Sequence, residues 1–403
     1  MNRIVGIIAG ISLAAGCGQP ADQKEKIKIG AIISLTGNYG ALGSERLNGA
    51  VLAVEEINKA GGVLGKELEL VPRDDGTEPT NAKKIAEDMV RQGMPAIIGA
   101  AASGSTVAIS DVTIPGQVVS ISGSSTSPLI TSLQDDGFVN RTCAADALQS
   151  RLIAQRARGR GFTKMAVIYA PNAYGEGLAN AFNAAFTGLG GTITGMYVAE
   201  SGQTSYEALL TRAYEGAPES ILLITYTVEG VQVIKDYLAK FSDKGTFWWF
   251  PDSLADSAFV TAVGPSKFTF GHEGTGPAAP KGERYEAFAA AYQAKFGKTP
   301  ETTSFSANYY DATYLLALAI EAAGKAEGPA IRDNLQNVSM GGESFDAKDF
   351  SAAVAELKVG GDINYEGASG SVDLDQFGEP IAPYDVWKVQ DGALTVIESS
   401  VNP

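Results

Sequence analysis

Residues 27–71 read IKIGAIISLTGNYGALGSERLNGAVLAVEEINKAGGVLGKELELV, and their pattern predicts the fold. The apolar run 27–35 predicts a buried strand, and Ser44 is expected to cap the helix that follows. Apolar residues recur on one face of this helix, at Leu47, Val51, Val54 and Ile57. The helix ends at a pair of glycines, and residues 68–71 predict a second strand. A strand, a helix and a strand in this order are typical of a parallel sheet covered by helices.

The same alternation continues along the chain in two blocks. Apolar runs at 96–98 and 118–121 extend the first block, and a second block begins after residue 145, with strands predicted at 165–169, 221–225 and 246–250. Continuous apolar strands indicate parallel sheets that are covered on both faces. We therefore predict an α/β protein with two doubly wound parallel-sheet lobes.

The first 26 residues carry targeting signals. Arg3 and the apolar run 4–15 resemble a secretory signal peptide, because so short a run cannot span a bilayer. The run leads into LAAGC at residues 13–17, which resembles a bacterial lipobox. We expect a signal peptide at 1–16, a lipid on Cys17 and a polar tether over 17–26. The alternative is an ordinary signal peptide that is cleaved nearby, with Cys17 incidental.

Composition argues against several classes of function. The formal net charge of −15 disfavours nucleic acid and anionic lipid as partners. One histidine and two cysteines are too few for a His/Cys metal cluster, and neither a phosphate-binding loop nor a Gly-x-Ser-x-Gly elbow occurs. We predict a binding protein without catalytic residues, metal or cofactor.

Two segments rich in small hydroxyl residues follow consecutive predicted strands. They are GAAASGST at 99–106 and SGSSTSP at 122–128. Ligands of open parallel sheets bind at the carboxyl ends of strands, where hydroxyl and backbone N–H groups can hold a carboxylate. Helix caps and turns favour the same residues and are the alternative interpretation.

Several short motifs in order along the chain resemble the leucine/isoleucine/valine-binding protein family, the type I periplasmic binding proteins of amino acid ABC importers. They are IGAIISLTG at 29–37, LNGA at 47–50, EEINKAGG at 55–62, Asp74-Asp75, Arg141-Thr142 with Asp146 and Gln149, YGEG at 174–177 and YYDA at 309–312.

The resemblance implies two lobes joined by a three-crossing hinge, with the ligand in the cleft between them. We assign residues 27–144 with 275–370 to the N-terminal lobe and residues 145–274 with 371–403 to the C-terminal lobe. The expected function is capture of an amino acid, branched-chain or related, for the permease of an ABC transporter. The protein would be a monomeric, lipid-anchored lipoprotein in the periplasm or on the cell surface.

The resemblance also implies the ligand-binding residues. Ser103 falls at the hydroxyl site for the substrate carboxylate, and Ser124, Ser125 and Thr126 fall around the α-amino acid head group. In the second lobe, the expected contacts are Tyr174, Tyr226 and Asp252, the last of which would pair with the substrate ammonium.

Some positions depart from the family pattern. Asp252 stands where the best-known members have the longer glutamate, and Leu42 stands at a frequent aromatic wall position, with Tyr39 nearby as a substitute. A lipid-anchored sensor, which would share the fold and the cleft, is the alternative function. An amine-free solute such as a small amide, urea or aromatic acid is the alternative ligand.

Overall fold

The computed structural model describes residues 25–264, 272–390 and 392–402. Its first lobe contains a five-stranded sheet in the order β2-β1-β3-β4-β5, and all neighbours in it are parallel. The strands are β1 Lys26–Ile33, β2 Glu67–Asp74, β3 Ala96–Gly99, β4 Val119–Ser122 and β5 Val139–Arg141. The helices between them are α1 Gly43–Lys59, α2 Pro79–Arg91, α3 Ser103–Thr113 and α4 Pro128–Thr131.

The second lobe contains a seven-stranded sheet in the order β15-β14-β10-β9-β8-β6-β7. Its strands are β6 Lys164–Tyr169, β7 Thr192–Val198, β8 Ser220–Ile224, β9 Phe247–Phe250, β10 Glu273–Pro277, β14 Tyr384–Gln390 and β15 Ala393–Val401. Its helices are α5 Asp146–Gly159, α6 Ala173–Gly188, α7 Glu207–Glu215, α8 Thr227–Lys240 and α9 Ser257–Val263. Strands β14 and β15 join antiparallel, so this sheet is mixed at one edge rather than wholly parallel.

Between these strands the chain returns to the first lobe. The returning elements are α10 Glu283–Phe296, α11 Ser306–Ala323, α12 Gly328–Ser339, β11 Glu343–Phe345, α13 Phe350–Lys358, β12 Ile363–Gly367 and β13 Gly370–Ser371. Helix α11 runs through the centre of this lobe, and most of its residues are buried. It packs against α1, where a Cβ on Gly49 would lie 2.0 Å from the carbonyl oxygen of Ser306.

Three segments connect the two lobes, at 142–145, 278–282 and 372–383. The boundary predicted after residue 274 falls inside β10, whose five residues all pair with β14 in the larger sheet. The boundary predicted after residue 370 falls inside β13, which pairs with β12 in the first lobe. The crossings therefore begin three residues and one residue later than the predicted boundaries, because strand pairing extends to Pro277 and Ser371.

The predicted two-lobed α/β fold is confirmed, while local details differ. Helix α1 begins at Gly43 with Leu42 at the N-cap, so the prediction that Ser44 caps it was wrong. Cys143 is buried and free, and the predicted lipidation site Cys17 lies outside the described residues. Among the described residues, no helix has the length and apolar character needed to cross a bilayer.

The two sheets share a topology that places their loops. Strands β7-β6-β8-β9-β10 repeat the order of β2-β1-β3-β4-β5, with the second strand along the chain flanking the first. In each sheet, the chain therefore leaves in opposite directions from two neighbouring strands, β1 and β3 in one lobe and β6 and β8 in the other. A crevice forms at the carboxyl ends of such strands, where ligands bind.

Candidate ligand-binding site

Loops that follow the strands of both sheets enclose one small space between the lobes. Its free volume is about 10 Å³, roughly enough for one water molecule. Six of the seven predicted ligand-binding residues line it: Ser103, Ser124, Thr126, Tyr174, Tyr226 and Asp252. The other lining residues are Tyr39, Ala101, Ala102 and Ser253.

The first lobe contributes hydroxyl groups to this space. Ser103 is the first residue of α3, and its Oγ accepts a hydrogen bond from the backbone N–H of Ser127 at 3.3 Å. Ser124 Oγ lies 2.9 Å from both the carbonyl oxygen of Ala101 and the hydroxyl of Tyr309. These serines and Thr126 are almost fully buried. They form a face of donors beside the N-terminus of α3, which suits an anionic group.

Ser125, the seventh predicted residue, does not line the space. Its Oγ lies 3.0 Å from the carbonyl oxygen of Ala100 and 2.7 Å from the hydroxyl of Thr106. Both groups belong to the β3–α3 segment, so Ser125 ties the two hydroxyl-rich segments together. The sequence pattern does not distinguish Ser125 from Ser124 and Thr126, because three successive hydroxyl residues look alike in the sequence although they point in different directions.

The second lobe contributes a carboxylate. Asp252 follows β9, and its Oδ1 lies 2.9 Å from the hydroxyl of Tyr174. That hydroxyl is also 2.8 Å from Ser253 Oγ, which itself donates to the carbonyl oxygen of Thr225. Burial raises the pKa of Asp252 to about 6, although the hydrogen bond from Tyr174 opposes that rise. The tyrosine stays neutral, because burial raises its own pKa well above the ordinary value.

A second acidic residue lies behind Asp252. Asp146, at the start of α5, is fully buried, and neither of its carboxylate oxygens has a hydrogen-bond partner among the described residues. Burial, and secondarily the charge of Asp252, raise its pKa well above the ordinary value. Two buried acids with no cationic side chain among the lining residues make this end of the space electrically suited to a cation. The sequence signal for Asp146 was its place in a family motif, with no role attached.

Three tyrosines form a continuous stack along one side of the space. The rings of Tyr39 and Tyr226 are 5.0 Å apart, and those of Tyr226 and Tyr174 are 5.5 Å apart. The guanidinium group of Arg46 lies 3.7 Å from the centre of the Tyr39 ring and holds it from the other face. Tyr39, rather than Leu42, therefore supplies the aromatic wall of the first lobe at this space.

Direct contacts hold the lobes together over the space. Asn38 donates to Glu229 Oε1 at 2.7 Å, and Ser127 Oγ donates to the carbonyl oxygen of Ala173 at 2.6 Å. Both bonds run from a first-lobe loop to a second-lobe element. The structure is thus a closed form, and a solute can enter only when the lobes move apart.

The site has no metal-binding character. Within the three described ranges, no group of three or more His, Cys, Asp or Glu side chains is placed to hold a metal ion. The polar groups that converge are hydroxyls, backbone groups and the carboxylate of Asp252.

Comparison with known proteins gives consistent similarities. Residues 26–369 match the model of a family described as periplasmic binding protein. The chain is 28% identical to Leu/Ile/Val-binding protein homolog 3 of Brucella melitensis, over 97% of this chain and 99% of that protein. It is 30% identical to Leu/Ile/Val-binding protein BraC3 of Rhizobium johnstonii, over 75% of this chain and 80% of that protein.

A solved structure agrees with these sequence matches. The leucine-binding protein LivK of Thermotoga maritima superposes with a TM-score of 0.78 at 26% identity, over 94% of this chain and 99% of that one. The similarity therefore extends through both lobes and the three crossings.

Proposed function

Because this chain belongs to the leucine/isoleucine/valine-binding family of type I periplasmic binding proteins, we propose that it captures an α-amino acid between its lobes. It is a substrate-binding protein of the branched-chain amino acid ABC transporter type. The observation that carries the proposal is the opposition of hydroxyl donors on the first lobe to a buried carboxylate on the second.

An α-amino acid matches both faces. Its carboxylate would accept hydrogen bonds from Ser103, Ser124 and Thr126 and from the first N–H groups of α3. Its ammonium group would compensate Asp252, whose charge is otherwise costly at this depth. The tyrosine stack would cover the bound molecule and exclude water.

Delivery to a permease would follow from closure. The ligand bridges the lobes, so it stabilises the closed form, and a permease that recognises this form distinguishes loaded from empty protein. The lipobox-like residues 13–17 support a lipid anchor on Cys17 that keeps the protein at the membrane. Mass spectrometry of membrane fractions should find the lipid in the unaltered chain and lose it in Cys17→Ser; an unmodified Cys17 in the unaltered chain would contradict the anchor.

Thermal unfolding of ligand-stripped protein, lacking residues 1–17, against all common amino acids tests the binding proposal. A ligand at a hundredfold excess over its Kd should stabilise the protein by about 2.7 kcal/mol. Asp252→Ala should abolish the shift, whereas Asp111→Ala, at an exposed position on α3, should keep it.

No shift with any amino acid would refute the amino acid assignment. In that case the same assay with amides, urea and aromatic acids would test the amine-free alternative. A shift that survives in Asp252→Ala would remove the ammonium role of Asp252.

A further inference from the structure

A much larger cavity (the hinge cavity) lies at the hinge, beside the small interlobe space that Asp252 lines (the head-group space). Its volume is about 290 Å³. All three crossings contribute to its wall, through residues such as Thr142, Ala278 and Ala382. The interlobe space described above is far smaller and has no room for an amino acid side chain.

Asp252 connects the head-group space with the hinge cavity. It lines the head-group space and the hinge cavity, and it also lines a narrow gap of about 20 Å³ between them. The narrow gap shares Ala255, Thr303 and Phe305 with the hinge cavity. A ligand whose ammonium group sits at Asp252 is therefore at the entrance of the larger cavity.

Two other directions away from Asp252 are filled. The stack of Tyr39, Tyr226 and Tyr174 closes one side of the head-group space. On the first-lobe side, Ser124 and Tyr309 are buried and in contact with each other. The hinge cavity is thus the direction in which a side chain finds space without displacing the buried core.

The wall of the cavity has a defined chemistry. Alanines, prolines and Phe305 make it largely apolar, and the hydroxyls of Thr302 and Thr303 add polar groups. Asp252 and Lys281 are the only charged side chains among its lining residues. Lys281 is exposed and has no ion-pair partner among the described residues. The lining of the cavity therefore carries one positive charge, which would repel a cationic side chain.

Phe305 stands at the junction of the gap and the cavity. It precedes α11 with a φ of +62°, a conformation that is uncommon and costly for a bulky residue. Ser304 and Ser306, hydrogen-bonded to each other on either side of it, hold this turn. The backbone is therefore held in a strained conformation where the ring forms part of the wall.

We propose that the hinge cavity receives the substrate side chain, and that the substrate is an amino acid whose side chain is longer than that of valine and neutral or acidic at its end. This inference rests on the proposed function, since it takes the ammonium group to sit at Asp252.

Calorimetric titration of the ligand-stripped protein with alanine, valine, leucine, glutamine, glutamate and arginine tests it. Affinity should rise from alanine to the longer neutral side chains by about fourfold per buried methylene. Arginine should bind more weakly than glutamine. Lys281→Met should narrow that difference, and Lys325→Met, at an exposed remote site, should not.

Substitutions that fill the hinge cavity provide a second test. Ala278→Phe and Ala382→Phe, on two different crossings, should lower affinity for glutamine and leucine by about tenfold or more while changing that for alanine by less than about threefold. Ala184→Phe, at an exposed position of α6, is the matched control. Two filling variants guard against one that fails to fold, which circular dichroism and Tm would reveal.

The outcomes separate this inference from the proposed function. If the unaltered protein binds amino acids but both folded filling variants affect all of them equally, or none, the hinge cavity does not hold the side chain and the proposed function stands. If the unaltered protein binds no amino acid, both are overturned. An affinity for arginine equal to that for glutamine would overturn the charge preference.

Discussion

At the scale of single residues, Asp252 ties ligand binding to pH. Burial raises its pKa to about 6, so below that pH the carboxyl is neutral and cannot compensate an ammonium group. We expect amino acid affinity to rise by roughly tenfold per pH unit up to about pH 6 and then to level off. Asp252→Asn should remove this pH dependence of the affinity. A profile that is flat between pH 4 and 7 in the unaltered protein would contradict the role of Asp252.

The stability of the empty protein should change with pH in the opposite sense. A carboxyl whose pKa is raised in the folded state keeps more protons there than in the unfolded chain, so the free energy of unfolding falls as pH rises from about 4 through 6. Burial raises the pKa of Asp311, in the first lobe, to about 6 as well. Only Asp252 lines the ligand space, so Asp311 contributes to the pH dependence of Tm and not to that of binding.

Ser103 and Ser125, one from each hydroxyl-rich segment, should respond differently when the hydroxyl is removed. Ser103→Ala should lower ligand affinity by roughly ten- to hundredfold, because a hydrogen bond to a charged group contributes about 1.5–3 kcal/mol. Ser125→Ala should instead lower the free energy of unfolding by about 0.5–1.5 kcal/mol, because it removes the hydrogen bonds to Thr106 and to the Ala100 carbonyl, which keep their bond to each other. Calorimetry and denaturant titration of both variants measure the two effects. Equal losses of affinity would mean that Ser125 also contacts the ligand.

At the scale of elements, Arg141 connects the head-group loop to the third crossing. It is buried at the end of β5, pairs with Glu379 and donates to the carbonyl oxygens of Ser125 and Ser127. Arg141→Met should lower the free energy of unfolding by about 3–5 kcal/mol, because Glu379 then stays buried without a cation. Adding Glu379→Met should recover part of this loss.

An exposed pair provides the control for Arg141. Arg91 pairs with Asp88 on the surface of α2, so Arg91→Met should change the free energy of unfolding by less than about 1 kcal/mol. Denaturant unfolding measures all these variants. If Arg141→Met were as mild as Arg91→Met, the ion pair would not hold the loop in place.

Helix α1 shows what the apolar period of a single helix can predict about burial. The apolar period placed a helix correctly after the first strand, yet Leu47, Val51 and Val54 are only half-buried. Gly49, Ala50 and Ala53 are buried together with Leu52 and Ile57, and at Gly49 the close approach of Ser306 in α11 leaves no room for a side chain. Periodicity identifies a helix and an apolar side, but the partner decides which residues make the closest contact.

At the scale of the whole molecule, closure brings Gly177 of α6 against the first lobe. A Cβ at this position would lie 2.3 Å from Ser127 Oγ and 3.1 Å from Pro128 Cδ. Gly177→Ala should therefore destabilise only the closed form, and lower ligand affinity by roughly five- to hundredfold, the factor that about 1–3 kcal/mol of overpacking produces. The free energy of unfolding of the open, empty protein should not fall, since alanine favours the helix.

Gly188→Ala is the control for closure on the same helix. No atom lies within 4 Å of a Cβ at that position, so affinity should stay unchanged. Small-angle scattering with saturating ligand should show a compact form for the unaltered protein and Gly188→Ala, and a more extended one for Gly177→Ala. Full compaction and unchanged affinity in Gly177→Ala would mean that the closed form in solution differs at this contact.

The two-lobed α/β architecture and the elements from which the site is built are predictable from the sequence alone. Burial within one strand or helix depends on residues close in the sequence, so apolar runs such as 96–98 and 221–225 predict it. The hydroxyl-rich segments and Asp252 were also identifiable, because ligand-binding loops follow strands in a parallel sheet and because their motifs resemble a known family.

Which of these groups face one another depends on the tertiary structure. It turned Ser125 away from the ligand space, placed Tyr39 rather than Leu42 in the aromatic wall, and brought Asp146 behind Asp252. It also formed the hinge cavity from three crossings that are far apart in the chain. These relations depend on how two sheets and three connections pack together, and no local pattern of side chains encodes the distance between segments more than a hundred residues apart.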